Sequence, residues 1–235
     1  MKLLYEGKAK RIYETDNPHE VICEFKDSLT AFNGEKADEE SGKGALNCAI
    51  TTLIFKALEK EGIPTHLIKQ IDETKQLVKK VDIILIEVVV RNIVAGSLAK
   101  RLGLKEGTKL PFTIVEFYYK NDELNDPLIN DDHAMVLGLV KTRKELELLR
   151  EYGLKVNKFL SELFDKVGLT LVDFKIEFGR DENGKIILAD EITPDSCRLW
   201  DKETGKKLDK DLFRFNLGNI KEAYTEVLNR LKDVK

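Results

Sequence analysis

Apolar and charged positions alternate most regularly in residues 171–201. The segment VDFKIEF at 172–178 alternates without a break, which predicts a strand with apolar residues on one face and charges on the other. The polar segment that follows contains Asn183 and Gly184, a pair that tolerates the positive φ of a tight hairpin connection. A second strand is expected at 186–192. The pattern therefore predicts a β-hairpin.

The predicted hairpin gathers carboxylates. Pairing its strands brings Asp190 or Glu191, depending on register, to the face that carries Lys175 and Glu177. Alternating charges are also typical of an ordinary half-exposed sheet. The apolar neighbours at 186–189 favour a site, because carboxylates in such surroundings repel one another unless a cation neutralises them. Magnesium would fit, since it takes one or two protein carboxylates and completes its shell with water and phosphate oxygens.

The first 80 residues predict a small β-rich unit with one helix. Strands are expected on both sides of Gly7 and at 21–25, 65–71 and 74–81, with a polar run at 27–38. Helical spacing of apolar residues predicts a helix at 45–61. Lys8 and Lys10 flank the first turn. They form either a solvated hairpin tip or a flap whose lysines reach nucleotide phosphates.

The remainder predicts a larger mixed unit. The apolar run 81–90 is typical of a buried strand, and Glu87 interrupts it, either at a site or at a sheet edge. A short helix ending at Gly103 follows, and its start, with Arg91, Ser97 and Arg101, could seat a phosphate, although basic helix ends are common on any surface. A strand at 110–119, a polar loop at 120–133 and helices at 142–167 and 219–231 complete the prediction.

A change of pattern near residue 81 predicts two lobes, residues 1–80 and residues 81–235. A cleft between them would bring Lys8 and Lys10 over Glu177 and Asp190, which is a geometry suited to ATP and magnesium. No Walker A motif and no G-x-G-x-x-G motif occurs in the chain. An ATP site would therefore have a different architecture from that of P-loop and Rossmann proteins.

Composition and charge argue against several classes of protein. The formal net charge of −3 and the interspersed charges argue against a general binder of nucleic acid or membrane surfaces. The chain has neither a secretion signal nor an apolar stretch of about 18 residues, so a cytoplasmic protein is expected. Cys23, Cys48 and Cys197 are far apart, which argues against zinc and disulfides. The histidines form no metal-binding pattern.

Five motifs, in order along nearly the whole chain, resemble the phosphoribosylaminoimidazole-succinocarboxamide synthase (SAICAR synthetase) family. They are YEGKAKRIY, EVVVRNIVAGSLAKR, FYYKNDELNDPLINDDH, LVDFKIEFG and ADEITPDSCRLWDK. The resemblance implies a two-lobed α+β fold related to ATP-grasp enzymes and distantly to protein kinases. It also implies a carbon–nitrogen ligase of purine biosynthesis, cytoplasmic and homodimeric. Using ATP and Mg²⁺, the enzyme would join the carboxylate of carboxyaminoimidazole ribotide (CAIR) to L-aspartate through an acyl phosphate.

The resemblance also assigns residues. Lys8 and Lys10 would lie over the ATP phosphates, and Glu87 is added to this nucleotide group as a candidate. Glu177 and Asp190 would hold magnesium, and Lys175 would neutralise the acyl phosphate region. Asp126 would help to orient the substrates. The ribotide and its phosphate would be positioned by Arg91, Ser97, Arg101 and Arg198, with Asp195 and Ser196 nearby.

Three alternatives remain at this point. Another ATP-dependent carboxylate–amine ligase would show a changed RNIVAGS or TPDSCR segment, and both segments are present. A protein kinase would need H-R-D and D-F-G motifs, whereas this chain has Asp173-Phe174-Lys175 and no H-R-D. A non-catalytic nucleotide- or RNA-binding module is disfavoured by the acidic balance and by the carboxylate pair.

Overall fold

Two antiparallel sheets form the framework, and the chain passes from the first to the second between Lys79 and Asp82. The computed structural model describes residues 2–31 and 34–234. The strands in these residues are β1 (Leu3–Glu6), β2 (Lys10–Glu14), β3 (Glu20–Phe25), β4 (Ser28–Ala31), β5 (Lys36–Glu39), β6 (Leu67–Gln70), β7 (Lys75–Lys79), β8 (Asp82–Ile93), β9 (Lys109–Tyr119), β10 (Leu128–Ile129), β11 (Leu169–Arg180), β12 (Ile186–Ala189) and β13 (Cys197–Asp201). The helices are α1 (Lys43–Lys60), α2 (Gly96–Leu102), α3 (Asp131–Val136), α4 (Arg143–Lys166), α5 (Asp211–Arg214) and α6 (Ile220–Lys232).

The first sheet has the order β1-β2-β3-β7-β6. Strand β3 alternates between buried and half-buried residues, as its sequence predicts. Its buried residues Val21, Cys23 and Phe25 form a small core with Val78 of β7 and Cys48 of α1. This sheet is therefore anchored to α1.

The second sheet has β11 at its centre. Its order is β10-β9-β8-β11-β12, and β13 also pairs with β11. The hairpin predicted from the alternating pattern is confirmed, and its register places Glu177 opposite Ala189. Asp190 follows directly after the paired strand. Strand β8 lies on the other side of β11, with Glu87 opposite Glu177.

Helix α4 packs on the second sheet, as predicted for the long helix at 142–167. The ring of Tyr152 stacks on that of Phe178 with 5.8 Å between centroids. At Gly153 an added Cβ would lie only 3.3 Å from methyl carbons of Val88 and Val90. A glycine at this point lets the helix approach the strands closely.

The two sheets are joined by backbone hydrogen bonds and by Leu67 of β6, which belongs to the main core. The Leu188 amide donates to the Pro64 carbonyl at 2.9 Å, and the His66 amide donates to the Leu188 carbonyl at 2.8 Å. The main core contains residues of α1, β8, β11, α4 and α6. The α+β class is confirmed. The division into lobes at residues 1–80 and 81–235 stays a prediction, and α1 packs against α6 from the far end of the chain.

Short elements account for most differences from the predicted ones. Residues 28–31 and 36–39 of the polar run pair as a hairpin, while residues 32 and 33 lie outside the described residues. The polar loop at 120–133 contains a turn of 3₁₀-helix, β10 and the first residues of α3. The segment after Pro194 pairs with β11 as β13. These elements are two to six residues long, too short for periodicity to reveal.

The start of α1 is held closely against β3. The Asp27 carboxylate accepts hydrogen bonds from the amides of Gly42 and Gly44 at 3.1 and 2.8 Å. At Gly44 an added Cβ would lie 2.6 Å from the Phe25 carbonyl oxygen. This contact sets where the first turn of α1 meets the first sheet.

We expect Gly44→Ala to destabilise the protein by roughly 1–3 kcal/mol despite the better helix propensity of alanine, because backbone atoms must move apart. Urea denaturation would measure the change. Gly218→Ala is the matched control, since its Cβ would meet only the Leu212 side chain at 3.5 Å, and it should change stability by less than about 0.5 kcal/mol. Equal effects of the two substitutions would contradict the steric explanation.

Candidate active site

A cleft of about 710 Å³ lies between the two sheets. Its apolar side is formed by side chains of the first sheet and of the crossing to the second, namely Ile12, Val21, Cys23, Val78, Val81 and Ile83. Its polar side carries lysines and carboxylates. A cleft with one apolar side and a few convergent charged groups is typical of a small-molecule site.

The hairpin β11–β12 supplies the centre of the polar side. The ammonium nitrogen of Lys175 contacts the Glu177 carboxylate and lies 3.0 Å from Oδ2 of Asp190. It also lies 3.6 Å from Oε1 of Glu87 on β8. Asp190 comes directly after Ala189, the last paired residue of β12. Its φ of 58° turns the chain sharply after β12, a conformation that aspartate tolerates better than most residues.

Two further lysines complete what we call the lysine–carboxylate cluster: Lys10, Lys120 and Lys175 with Glu87, Glu177 and Asp190. Lys10 contacts Asp190, lies 3.3 Å from Glu191, and is 5.1 Å from the centroid of the Phe25 ring. Lys120 donates to Glu177 at 2.9 Å. Lys120 was not predicted as a site residue. It lies at the end of β9, and only the pairing of β9 with β8 brings it to the cluster.

Lys8 and Asp126 stand at the edge of this cluster. Lys8 lines the cleft and pairs with Asp122 at 2.7 Å. Asp126 also lines the cleft, and its Oδ1 accepts a hydrogen bond from the Asn121 amide at 2.8 Å. Asn125 and Asp126 have φ values of 58° and 45°. Two left-handed residues in succession fold this loop back towards the cleft.

Electrostatics keep Asp190 and Lys175 ionised. Burial by itself would raise the pKa of Asp190, but the charges of Lys10 and Lys175 outweigh it and hold the pKa well below its usual value. Burial would likewise lower the pKa of Lys175, yet the charges of Asp190 and Glu177 raise it well above normal. Burial raises the pKa of Glu87, and the charge of Lys175 opposes this shift only in part. Asp190 and Lys175 are therefore charged at neutral pH.

A metal site made by the protein alone is absent from the described ranges 2–31 and 34–234, where no three or more His, Cys, Asp or Glu side chains are close enough to hold an ion. Glu177 and Asp190 nevertheless supply oxygen ligands on either side of Lys175. Two carboxylates suit magnesium only when phosphate and water complete its shell. The donor set therefore fits a metal that arrives with a nucleotide.

Arg91, Ser97, Arg101 and Arg198, which we call the arginine cluster, come together beside the cleft and are not among the residues that line it. Arg91 donates to Asp173 and Ser97 at 2.9 and 3.0 Å. Arg198 donates to the same Asp173 at 2.9 Å. Asp173 lies two residues before Lys175 on the same face of β11. The two positions are roughly 7 Å apart along the strand, so the arginine cluster lies next to the lysine–carboxylate cluster.

Carboxylates and one glycine set the shape of the arginine cluster. Glu116 contacts both Arg91 and Arg101. At Gly96, which has a φ of 54°, an added Cβ would lie 2.5 Å from the Arg198 guanidinium. The sequence analysis did not find Asp173 or Glu116 as partners, because strand pairing alone brings them to the arginines.

The far side of the cleft is formed by what we call the distal wall: Ser196, Lys210 and Arg214. Asp195 also lines the cleft, although only 6% of its side chain is exposed. Burial lowers the pKa of Lys210, although the charge of Asp195 opposes this shift. Lys210 and Arg214 were not predicted. Their positive charges suit a carboxylate-bearing ligand.

His66 lies at the cleft and is buried, with 6% of its surface exposed. Its ring packs edge-on against Phe55 with 5.7 Å between centroids. Burial, with the charge of Lys10, lowers the pKa of His66 to about 3. The imidazole is therefore neutral throughout the physiological range.

Comparison with known proteins gives a consistent family. The family model described as SAICAR synthetase matches residues 3–231. A phosphoribosylaminoimidazole-succinocarboxamide synthase of Nautilia profundicola is 96% identical over the full length of both chains. The crystal structure of such a synthase from Ehrlichia chaffeensis is 50% identical and covers all of both chains with a TM-score of 0.96. A SAICAR synthetase in complex with ADP is 51% identical, covers 100% and 99% of the two chains, and has a TM-score of 0.95.

The low pKa of His66 predicts an acid-dependent loss of stability. The unfolded state takes up a proton near pH 6.5 and the folded state only near pH 3, so stability is fully present above pH 6.5 and falls as the pH drops. Between pH 7 and pH 5 this histidine should account for about 2 kcal/mol of lost stability. Urea denaturation of His66→Gln should show that much less change over this range. Identical pH dependence in both proteins would contradict the prediction.

Proposed function

The chain belongs to the SAICAR synthetase family, and we propose that the cleft between its sheets is where the family's reaction takes place. The protein is an ATP-dependent ligase of purine biosynthesis that joins CAIR to L-aspartate. The observation that carries the site assignment is the lysine–carboxylate cluster at one side of a cleft whose other side is apolar. Different parts of this cleft would hold ATP, magnesium, CAIR and L-aspartate.

ATP would lie with its base against the apolar side and its phosphates at the lysine–carboxylate cluster. Lys8 and Lys10 stand on the β1–β2 hairpin, which covers the cleft from the first sheet. Lysine is suited to this role because its ammonium group is a mobile point charge. Glu87 would belong to the same nucleotide region, since it lies 3.6 Å from Lys175.

Glu177 and Asp190 would hold Mg²⁺ together with the phosphate oxygens of ATP. The ion would neutralise charge on the phosphates during transfer. The donor set supports this assignment: both carboxylates face one point on the hairpin, and Asp190 is held ionised by Lys10 and Lys175.

The chemistry requires activation of a carboxylate. The carboxylate oxygen of CAIR would attack the γ-phosphorus of ATP, and the bond to the β,γ-bridging oxygen breaks to release ADP. The unprotonated amine of L-aspartate would then attack the acyl carbon, and the bond from that carbon to the phosphate oxygen would break. Inorganic phosphate would leave with the proton lost by the amine nitrogen, and the amide would remain. Lys175 would neutralise the acyl phosphate region, and Asp126 would help to orient the substrates. Fixed positive charges are effective here because negative charge accumulates during phosphoryl transfer.

The arginine cluster would position the ribotide. Arg91 and Arg198 are held by Asp173, so their guanidinium groups are oriented before a phosphate arrives. Ser97 and Arg101 would add donors at the same place. Because Asp173 precedes Lys175 on one face of β11, a ribotide held there could extend its carboxylate towards the lysines.

The distal wall would receive L-aspartate. This substrate carries two carboxylates, and Lys210 and Arg214 supply positive charge beside Ser196. Asp195 would lie next to the bound substrate.

We further propose that the protein acts in the cytoplasm as a homodimer and binds neither nucleic acid nor membranes. None of the helices in the described part of the chain is long and apolar enough to cross a membrane. The even mixture of charges and the net charge of −3 argue against a general binder of nucleic acid. Light scattering of the purified protein would measure the mass of the assembly.

ADP release should require CAIR and L-aspartate together with ATP and magnesium. Each substrate is omitted in turn, ADP is measured by a coupled assay, and the product is identified by mass spectrometry. Release with a different acceptor carboxylate, and none with CAIR, would move the assignment to another carboxylate–amine ligase. No release under any combination would contradict the proposed reaction.

Glu177→Gln and Asp190→Asn should each abolish turnover and leave the fold intact by circular dichroism. Both substitutions keep the shape of the side chain and remove the charge that would bind the metal. Asparagine also tolerates the left-handed backbone at residue 190. Glu182→Gln, on the exposed hairpin connection, is the control and should keep full activity. Activity retained in both cleft variants would show the metal assignment to be wrong.

A further inference from the structure

Asp195 is enclosed by donors from two distant helices. Its Oδ2 accepts hydrogen bonds from Lys43 at 2.6 Å and Asn47 at 2.8 Å, both on α1. Its Oδ1 accepts one from the Tyr224 hydroxyl on α6 at 2.6 Å. Three of the roughly four acceptor positions of the carboxylate are therefore filled by protein groups. Helices α1 and α6, rather than a substrate, set its orientation.

The burial of Lys43 makes this arrangement unusual. Its side chain is 1% exposed and that of Asp195 is 6% exposed. A buried ion pair is a weak source of stability, because the cost of removing both charges from water offsets most of their attraction. Apolar side chains of similar size could join α1 to the turn at least as firmly. A role in orientation explains the buried charge better than a role in stability.

Asp195 sits in the turn that carries the distal wall. The Ser196 carbonyl accepts a hydrogen bond from the Lys175 amide at 2.9 Å, and the Pro194 carbonyl accepts one from the Lys210 amide at 3.0 Å. Asp195 therefore lies between the backbone contacts that place Ser196 and Lys210 at the cleft. A shift of its carboxylate would move the turn and, with it, the distal wall.

We propose that Lys43 and Tyr224 are positioning residues for the distal wall and act on L-aspartate binding through Asp195. Neither lines the cleft. Asp195 itself then serves mainly to hold the turn in place, whereas the sequence analysis expected it to bind substrate. The inference rests on the proposed function, since it takes the distal wall as the L-aspartate site.

Tyr224→Phe is the sharpest test, because it removes one hydroxyl and keeps the packing of a fully buried ring. With CAIR saturating, KM is measured for L-aspartate and for ATP, and Tm is measured in parallel. We expect KM for L-aspartate to rise at least about tenfold, as for loss of a hydrogen bond to a charged group that holds a binding site in place. KM for ATP should stay within about twofold, since the lysine–carboxylate cluster keeps its own contacts.

Thr52→Val is the matched control. It also removes a buried hydroxyl, which accepts a hydrogen bond from Gln76 at 2.8 Å, and it lies on α1 away from the cleft. It should lower Tm and leave both KM values unchanged. An unchanged KM for L-aspartate in Tyr224→Phe, or an equal rise in the two KM values, would overturn the proposal whatever happens to Tm.

Lys43→Met gives a second, independent measurement. It should raise KM for L-aspartate in the same direction, and the double variant should exceed the larger single effect by no more than about twofold, because both residues act through one carboxylate. If the rise in KM for L-aspartate in the double variant equals the product of the two single rises, the two residues do not act through the same carboxylate, and the proposal is overturned. ADP release by the unaltered protein, dependent on both acceptor substrates, is established first, so failure of the proposed reaction and failure of the positioning role are separate results.

Discussion

The contact of Lys175 with Glu177 and Asp190 is the interaction on which the arrangement of the cleft depends. Lys175 and Glu177 share one face of β11, and in the β11–β12 register residue 190 would lie opposite Ile176, on the buried face. The φ of 58° at Asp190 ends the pairing there and turns its carboxylate to Lys175. The hairpin itself is fixed by its buried face, where Ile176, Phe178 and Leu188 belong to the main core. Hydrophobic packing on one face of a strand therefore determines charge placement on the other.

Burial of so many charges is tolerated because they neutralise one another. Each lysine of the lysine–carboxylate cluster contacts at least one carboxylate, and the pKa shifts of Asp190 and Lys175 reinforce each other. The same principle holds in the arginine cluster, where Asp173 joins Arg91 to Arg198. Removing one member from either cluster would leave an unpaired charge in a site of low polarity, which is far more costly than the pair itself.

Much of the fold could be predicted from the sequence, because the long elements show their periodicity in local sequence. Alternation revealed β11, and helical spacing revealed α1, α4 and α6, because these elements are long enough to show a period. The register of the hairpin was left open between Asp190 and Glu191, since turn residues permit more than one pairing. Lys120, Lys43 and Tyr224 were missed. Lys120 reaches the cleft, and Lys43 and Tyr224 reach Asp195, from elements far apart in the chain, and no local pattern reports such contacts.

The ion pairs also indicate how the cleft would respond to its substrates. Under the proposed assignment, ATP would bring several negative charges to lysines that are already paired with carboxylates. The ammonium groups would then turn in part to the phosphates, which would leave Glu177 and Asp190 available as ligands for magnesium. Lys175 contacts both carboxylates, so it holds them close together on the hairpin. The same lysine can therefore position the carboxylates and, after a small movement of its flexible side chain, neutralise charge on a phosphate.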